Sequence, residues 1–90
     1  PNSVTNIGWA AFSGCRSLTS FCVPDTVTCI ESYAFSCCTE LASIKIPNSV
    51  KKIGYDAFKA SRKVKIYCKK GSVAHTYAKK NGIAYSIKNK

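Results

Sequence analysis

The sequence predicts an α/β solenoid. It should be a right-handed coil of 23-residue units, with short parallel strands and short helical or 3₁₀ turns, closed by a C-terminal helix and strand. Three observations lead there. Pro1, Pro24 and Pro47 are spaced 23 residues apart, and each opens the same apolar pattern. That pattern stops near residue 70, where a capped helical stretch and an alternating stretch replace it. The chain has only 90 residues, 46% hydrophobic and 20% charged, which suits one small globular unit with a thin core. The longest apolar runs, such as residues 21–23, fall far short of the roughly 20 residues that a membrane-crossing helix needs, so no membrane insertion is expected.

The repeat is written in full twice. Val4, Ile7, Ala11, Phe12, Cys15, Leu18, Phe21 and Val23 are followed by Val27, Ile30, Ala34, Phe35, Cys38, Leu41, Ile44 and Ile46. The third copy keeps Val50, Ile53, Ala57 and Phe58, puts Ser61 where cysteine stood, and shortens its final segment by one residue to Val64, Ile66 and Cys68. A unit of this length ending in Leu-x-x-Ile-x-Ile lies in the period range of leucine-rich repeats. The alternating segments 18–23, 41–46 and 64–68 read as parallel strands. Leu18, Phe21 and Val23 should face inward, and Thr19, Ser20 and Cys22 outward.

Each proline should end its strand, because it cannot donate to a ladder. Val4 and Ile7 with their copies form a second inward edge, Gly8 and Gly54 supply a turn, and the Ala-Phe pairs sit on the short helical turn. From Ser72 the chain reads as a helix, with Ser72 as N-cap, Ala74, Tyr77 and Ala78 on one face, Lys79 and Lys80 at the negative end, and Gly82 in the left-handed terminal position. Ile83, Tyr85 and Ile87 then alternate as a strand. The expected organisation is three repeats over 1–69 (1–23, 24–46 and 47–69) and a cap over 70–90, which covers the last open face of the stack.

The run Pro1-Asn2-Ser3-Val4-Thr5-x-Ile7-Gly8-x-x-Ala11-Phe12-Ser13-Gly14-Cys15-x-Ser17-Leu18-Thr19-Ser20 resembles the BspA-type (treponemal-type) leucine-rich repeat. The resemblance covers residues 1 to about 69, and residues 70–83 look like the segment that often closes such arrays. It implies a secreted or cell-surface protein of bacteria or some protists, non-enzymatic, acting in protein binding or adhesion. The sequence departs from the pattern at Cys22, Cys29 and Cys37, at Glu31 where the turn glycine is usual, and at Ser61. Because the array opens without an N-terminal cap, the chain reads as the C-terminal part of a longer array, or as one whose bare end is covered by self-association.

Charge is distributed unevenly. The net charge is +10. Residues 1–50 hold two basic against three acidic side chains, and residues 51–90 hold twelve basic against Asp56 alone. The second half therefore attracts anions or is simply well solvated. A basic patch is expected from Lys51, Lys52, Lys59, Arg62, Lys63, Lys69 and Lys70. If the strands stack in register, Thr19, Ser20, Cys22, Ser43, Lys45, Lys65 and Tyr67 form an outward face suited to an acidic protein loop or a sulfated glycan. Nucleic acid fits less well, since Tyr55, Tyr67, Tyr77 and Tyr85 mostly follow core or cap periodicity. Trp9 projects near the turn of the first copy, where the later copies have Ser32 and Tyr55, and is either a contact residue or packs against a preceding coil.

The residues do not compose a catalytic or metal site. The six cysteines, at 15, 22, 29, 37, 38 and 68, contain no Cys-x-x-Cys, and the single His75 stands apart from them. Cys15, Cys38 and Cys68 should be buried free thiols, and Cys22, Cys29 and Cys37 exposed. Asp25, Glu31, Glu40 and Asp56 occupy unrelated repeat positions, so no acid-base pair is implied. His75 reads as a solvated residue in a first helical turn. No glycine-rich phosphate loop and no cofactor motif is present. The expected partner is an extracellular protein or matrix component, with an anionic polymer as alternative. A further alternative is a noncatalytic appendage of a larger secreted enzyme.

Overall fold

Valine and isoleucine three residues apart give each coil two inward anchors, and the segments carrying them lie side by side. A computed structural model describes residues 4–87. The opening proline of the pattern, Pro1, and the final residues 88–90 of the expected cap lie outside them. The strands are β1 (Asn6–Ile7), β2 (Ser20–Cys22), β3 (Cys29–Ile30), β4 (Ser43–Lys45), β5 (Lys52–Ile53), β6 (Lys65–Cys68) and β7 (Ala84–Ile87), with helix α1 (Val73–Asn81) before the last. They form two sheets, β1-β3-β5 and β2-β4-β6-β7, and all their pairings are parallel.

The register stacks like residues on like. Ile7 pairs with Ile30 and Ile30 with Ile53 in the first sheet. Phe21 pairs with Ile44 and Ile44 with Ile66 in the second. The residue missing from the third copy is lost before β6, so Ile66 still falls on Ile44. A slip of one would have turned the buried set outward. The observed strands are shorter than the alternation suggests, because Leu18 still belongs to a turn, its N–H bonding to Cys15 O.

No helix forms over the Ala-Phe segments, contrary to the helical or 3₁₀ turn expected from sequence. The backbone there climbs by successive tight turns, Ala11 N–H to Gly8 O, Ser13 N–H to Ala10 O and Cys15 N–H to Phe12 O. The intervening N–H groups of Ala10, Phe12 and Gly14 reach across to Ser32, Ala34 and Ser36 of the next coil. Left-handed residues make this alternation: Ala10, Tyr33 and Asp56 at one repeat position, Gly14, Cys37 and Ala60 at another, all with positive φ. A helix would have spent those donors within its own coil. The turns spend half of them between coils.

Hydroxyls fasten the coils together. Thr26 Oγ1 donates to Val4 O, and Ser49 Oγ donates to Val27 O at 2.8 Å, which explains why a hydroxyl residue stands two places after Pro24 and Pro47. Inside, Phe12, Phe35 and Phe58 stack nearly parallel at 5.2 and 5.4 Å between centroids, and Tyr77 of α1 continues the column at 6.1 Å, tilted. Such ring pairs add about 0.5 to 1.5 kcal/mol each beyond area burial. The middle coil is fully buried at Ile30, Ala34, Phe35, Cys38, Leu41 and Ile44, while Phe12, Leu18 and Phe21 of the first are only partly covered.

Helix α1 begins at Ser72, whose side chain accepts the His75 N–H, and ends at Gly82, which is left-handed and donates to the carbonyls of Ala78 and Lys79. Ala74 and Ala78 are buried. β7 then pairs with β6, Tyr67 opposite Ser86 and Cys68 opposite Ile87.

Candidate functional site

Two surfaces of different chemistry emerge from this stacking. The first is the outward face of β2-β4-β6. Ser20, Ser43 and Lys65 lie in one row, and Cys22, Lys45 and Tyr67 in the next. Thr19, Ser20, Cys22, Lys45 and Lys65 are exposed, and Ser43 and Tyr67 half-buried. The Lys65 ammonium lies 5.6 Å from the centre of the Tyr67 ring, which fixes a cation over an aromatic face. At the C-terminal ends of β4 and β6 this face runs into a hollow of about 270 Å³, where Asp25, Lys45, Asn48, Tyr67 and Lys69 meet. Lys69 thereby joins the sheet face, although the sequence groups it with the other basic residues.

The remaining basic side chains are carried by several elements. Lys51 precedes β5 and Lys52 lies within it, on the other sheet; Lys59, Arg62 and Lys63 belong to the turn segment; Lys69 and Lys70 follow β6. Lys63 is paired with Glu40 at 2.8 Å, an exposed contact worth little in stability.

The second surface is the turn edge beside β1-β3-β5, where the repeat places Trp9, Ser32 and Tyr55. Trp9, Ser32 and Tyr55 occupy the same repeat position, and Trp9 and Tyr55 are 68% and 77% exposed. Tyr55 thus departs from the core or cap periodicity that most of the tyrosines follow. Its neighbour Gly54, not Tyr55, turns inward: a Cβ on Gly54 would stand 2.3 Å from Ser32 N. Trp9 meets Tyr33 edge-on at 6.0 Å between ring centres. Trp9, Glu31, Ser32, Lys52 and Gly54 line a shallow hollow of about 220 Å³, with Cys29 at its rim. Asn6 Nδ2 donates to Glu31 Oε2 at 2.6 Å, so the carboxylate is held in place. The signal in the sequence was the shared repeat position of Trp9, Ser32 and Tyr55, aromatic in the first and third copies.

The thiols divide by burial. Cys38 and Cys68 are buried and Cys22 and Cys37 exposed, whereas Cys15 and Cys29 are intermediate, the first because its coil is only half covered. Burial pushes the Cys38 and Cys68 thiols above the ordinary range. The position shared by Cys15, Cys38 and Ser61 is not simply a small apolar one. Cys38 Sγ donates to Phe12 O at 3.0 Å, and Ser61 Oγ donates to Phe35 O while accepting the Cys38 N–H at 2.9 Å. His75 is not a free surface residue either: Nδ1 accepts the Gly71 N–H at 2.9 Å and its ring lies 4.9 Å from that of Tyr85. Among the described residues no group of three or more His, Cys, Asp or Glu could hold a metal ion.

Two parallel sheets joined coil upon coil by short turns are the architecture of a leucine-rich-repeat solenoid. The family model "BspA type Leucine rich repeat region (6 copies)" matches residues 1–80. The chain belongs to the BspA-type leucine-rich-repeat family, a repeat module for protein interaction that is generally non-catalytic, in proteins typically secreted or on the bacterial surface. Comparison with curated proteins and with solved structures finds no match. Among the described residues no helix is long and apolar enough to cross a membrane.

Proposed function

We propose that this chain is a non-enzymatic adhesion scaffold, secreted or at the cell surface, that grips an extracellular protein or matrix component through the outward face of β2-β4-β6. In this reading residues 1–69 are three right-handed coils of 23 residues each, and residues 70–90 are a cap whose helix continues the phenylalanine column and whose strand extends the sheet. The observation that carries the reading is the row of Cys22, Lys45 and Tyr67 beside Ser20, Ser43 and Lys65, in strict register with the inward row of half-buried Phe21 and buried Ile44 and Ile66 behind it. A packed inward row makes the outward row rigid, and rigid side chains lose little entropy on binding. Lysines and a tyrosine on such a face favour an acidic partner, with electrostatics governing the association rate.

The test is capture of purified extracellular-matrix proteins by the native chain, by a Lys45→Glu/Lys65→Glu/Tyr67→Ala variant and by a Lys51→Glu/Lys52→Glu variant. The sheet variant should lose capture and the other retain it. Equal capture by all three would remove the proposed face. Loss in both basic variants, reversed in neither by a neutral surface, would point to plain polyanion attachment.

A further inference from the structure

We propose that the turn edge is a binding site distinct from the sheet face and that it takes an extended neutral glycan. Its chemistry is unusual for this molecule. Large aromatic side chains are seldom left this open on a small domain without a use. Trp9 and Tyr55 stand out at one repeat position two coils apart, with Ser32 on the coil between, Trp9 lining the hollow and Tyr55 next to its Gly54 wall. Trp9 is braced edge-on against the ring of Tyr33 at 6.0 Å between centres.

Charge chooses the ligand's sign. On a chain of net charge +10 the hollow contains one carboxylate, Glu31, and one ammonium, Lys52. These cancel, so neither a polyanion nor a cation is favoured, in contrast with the Lys45, Lys65 and Lys69 surface. Volume chooses its size. About 220 Å³ lies below the range of sites that enclose drug-sized molecules, and an open hollow of this size holds one ring of a ligand that continues beyond it.

Spacing chooses its repeat. Residues two coils apart are separated by about 9.5 Å, twice the distance between neighbouring strands, which is close to the length of two sugar units in an extended glycan. Trp9 and Tyr55 would then cover the apolar faces of alternate sugars, and Glu31, positioned by Asn6, would accept from a hydroxyl of the unit between. An extended peptide repeats its side chains on one face every 6.6 Å or so, out of step with this ladder. A polyproline helix has about the right pitch but offers no backbone N–H to the Glu31 carboxylate.

Trp9 is the only tryptophan, so its emission reports on this site alone. The native chain is titrated with soluble hexasaccharides of glucose, mannose and N-acetylglucosamine, in parallel with a proline-rich peptide and with heparin, each to about 10 mM in sugar or peptide units. At least one neutral hexasaccharide should change the emission saturably, and calorimetry should give the same Kd. Tyr55→Ala should weaken that Kd about tenfold and Glu31→Gln several-fold, while Lys45→Glu on the sheet face leaves it unchanged, which separates this site from the face proposed above. Circular dichroism of each variant must match the native chain, and if Tyr55→Ala is misfolded, Tyr55→Ser or the Glu31 variant decides. No saturable response to any neutral glycan, an unchanged Kd in folded Tyr55 and Glu31 variants, or saturation by the proline-rich peptide alone would overturn the proposal.

Discussion

Gly54 and Gly8 stand at the same place in the repeat, yet only one of them is compelled to be glycine. A Cβ at Gly54 would lie 2.3 Å from Ser32 N and 2.7 Å from Glu31 C, both backbone atoms that cannot swing aside, whereas one at Gly8 meets nothing within 4 Å. Gly54→Ala should therefore destabilise by about 1 to 3 kcal/mol, the range of overpacking, and lower the thermal midpoint by at least 4 °C or so. Gly8→Ala should stay within about 0.5 kcal/mol; equal melting curves would contradict the close approach. The thiols offer a second check. Cys22 and Cys37 should alkylate at once under native conditions, and Cys38 and Cys68 only after unfolding, as peptide mass spectrometry would resolve. Burial raises both buried thiols above the ordinary value of 9.0, and also raises the Tyr77 phenol above 10.0. Their contribution is complete below those ordinary values, because the unfolded chain then gains no extra ionisation. It is lost as pH rises from about 9 through the higher folded values, where the unfolded state sheds protons first. Denaturation midpoints should fall above pH 9, and less steeply in Cys38→Ser, which keeps a donor for Phe12 O as Ser61 does for Phe35 O.

Helix α1 is the element whose limits can be tested most directly. Gly82 holds φ 66° and closes the helix onto Ala78 and Lys79, so Gly82→Ala should cost about 1 kcal/mol, read as a shift in denaturant midpoint with unchanged slope. Its boundaries were legible because Ser72 and Gly82 act through their own backbone and side chain, without help from the rest of the fold. The strand registers were legible for a similar reason, since period-2 alternation fixes which side chains face inward. The turn segments were not. Their geometry depends on N–H groups paired with the next coil, and Ala10, Tyr33, Asp56, Cys37 and Ala60 adopt positive φ although none is glycine. Local propensity favours a short helix over Ala-Phe; inter-coil hydrogen bonding overrules it. The candidate sites were legible only in part. The sheet face follows directly from the alternation, but the meeting of Lys69 with Lys45 and Tyr67, and the aromatic turn edge, depend on how coils align in three dimensions.

At the scale of the whole molecule, the positive charge is spread over several elements of the second half of the chain. The first 50 residues are nearly neutral, and the basic side chains of the rest are carried by β5, by the turn segment before β6, by the residues after β6 and by the end of α1. Attraction to a polyanion should consequently be strong at low salt and should come from no single cluster. In a counterion-release picture, affinity falls with rising salt with a slope set by the number of phosphates or sulfates neutralised. Lys51→Gln/Lys52→Gln, Lys59→Gln/Arg62→Gln and Lys69→Gln/Lys70→Gln should each lower the salt needed for elution from heparin by a similar modest amount, and none should abolish retention. Specific capture by the β2-β4-β6 face behaves differently, because it depends on Lys45, Lys65 and Tyr67 held in register. It should survive the first two double substitutions and persist at ionic strengths where heparin no longer binds. Were one pair alone to abolish heparin retention, the charge would act as a localised site, and the separation between general attraction and the sheet face would fail.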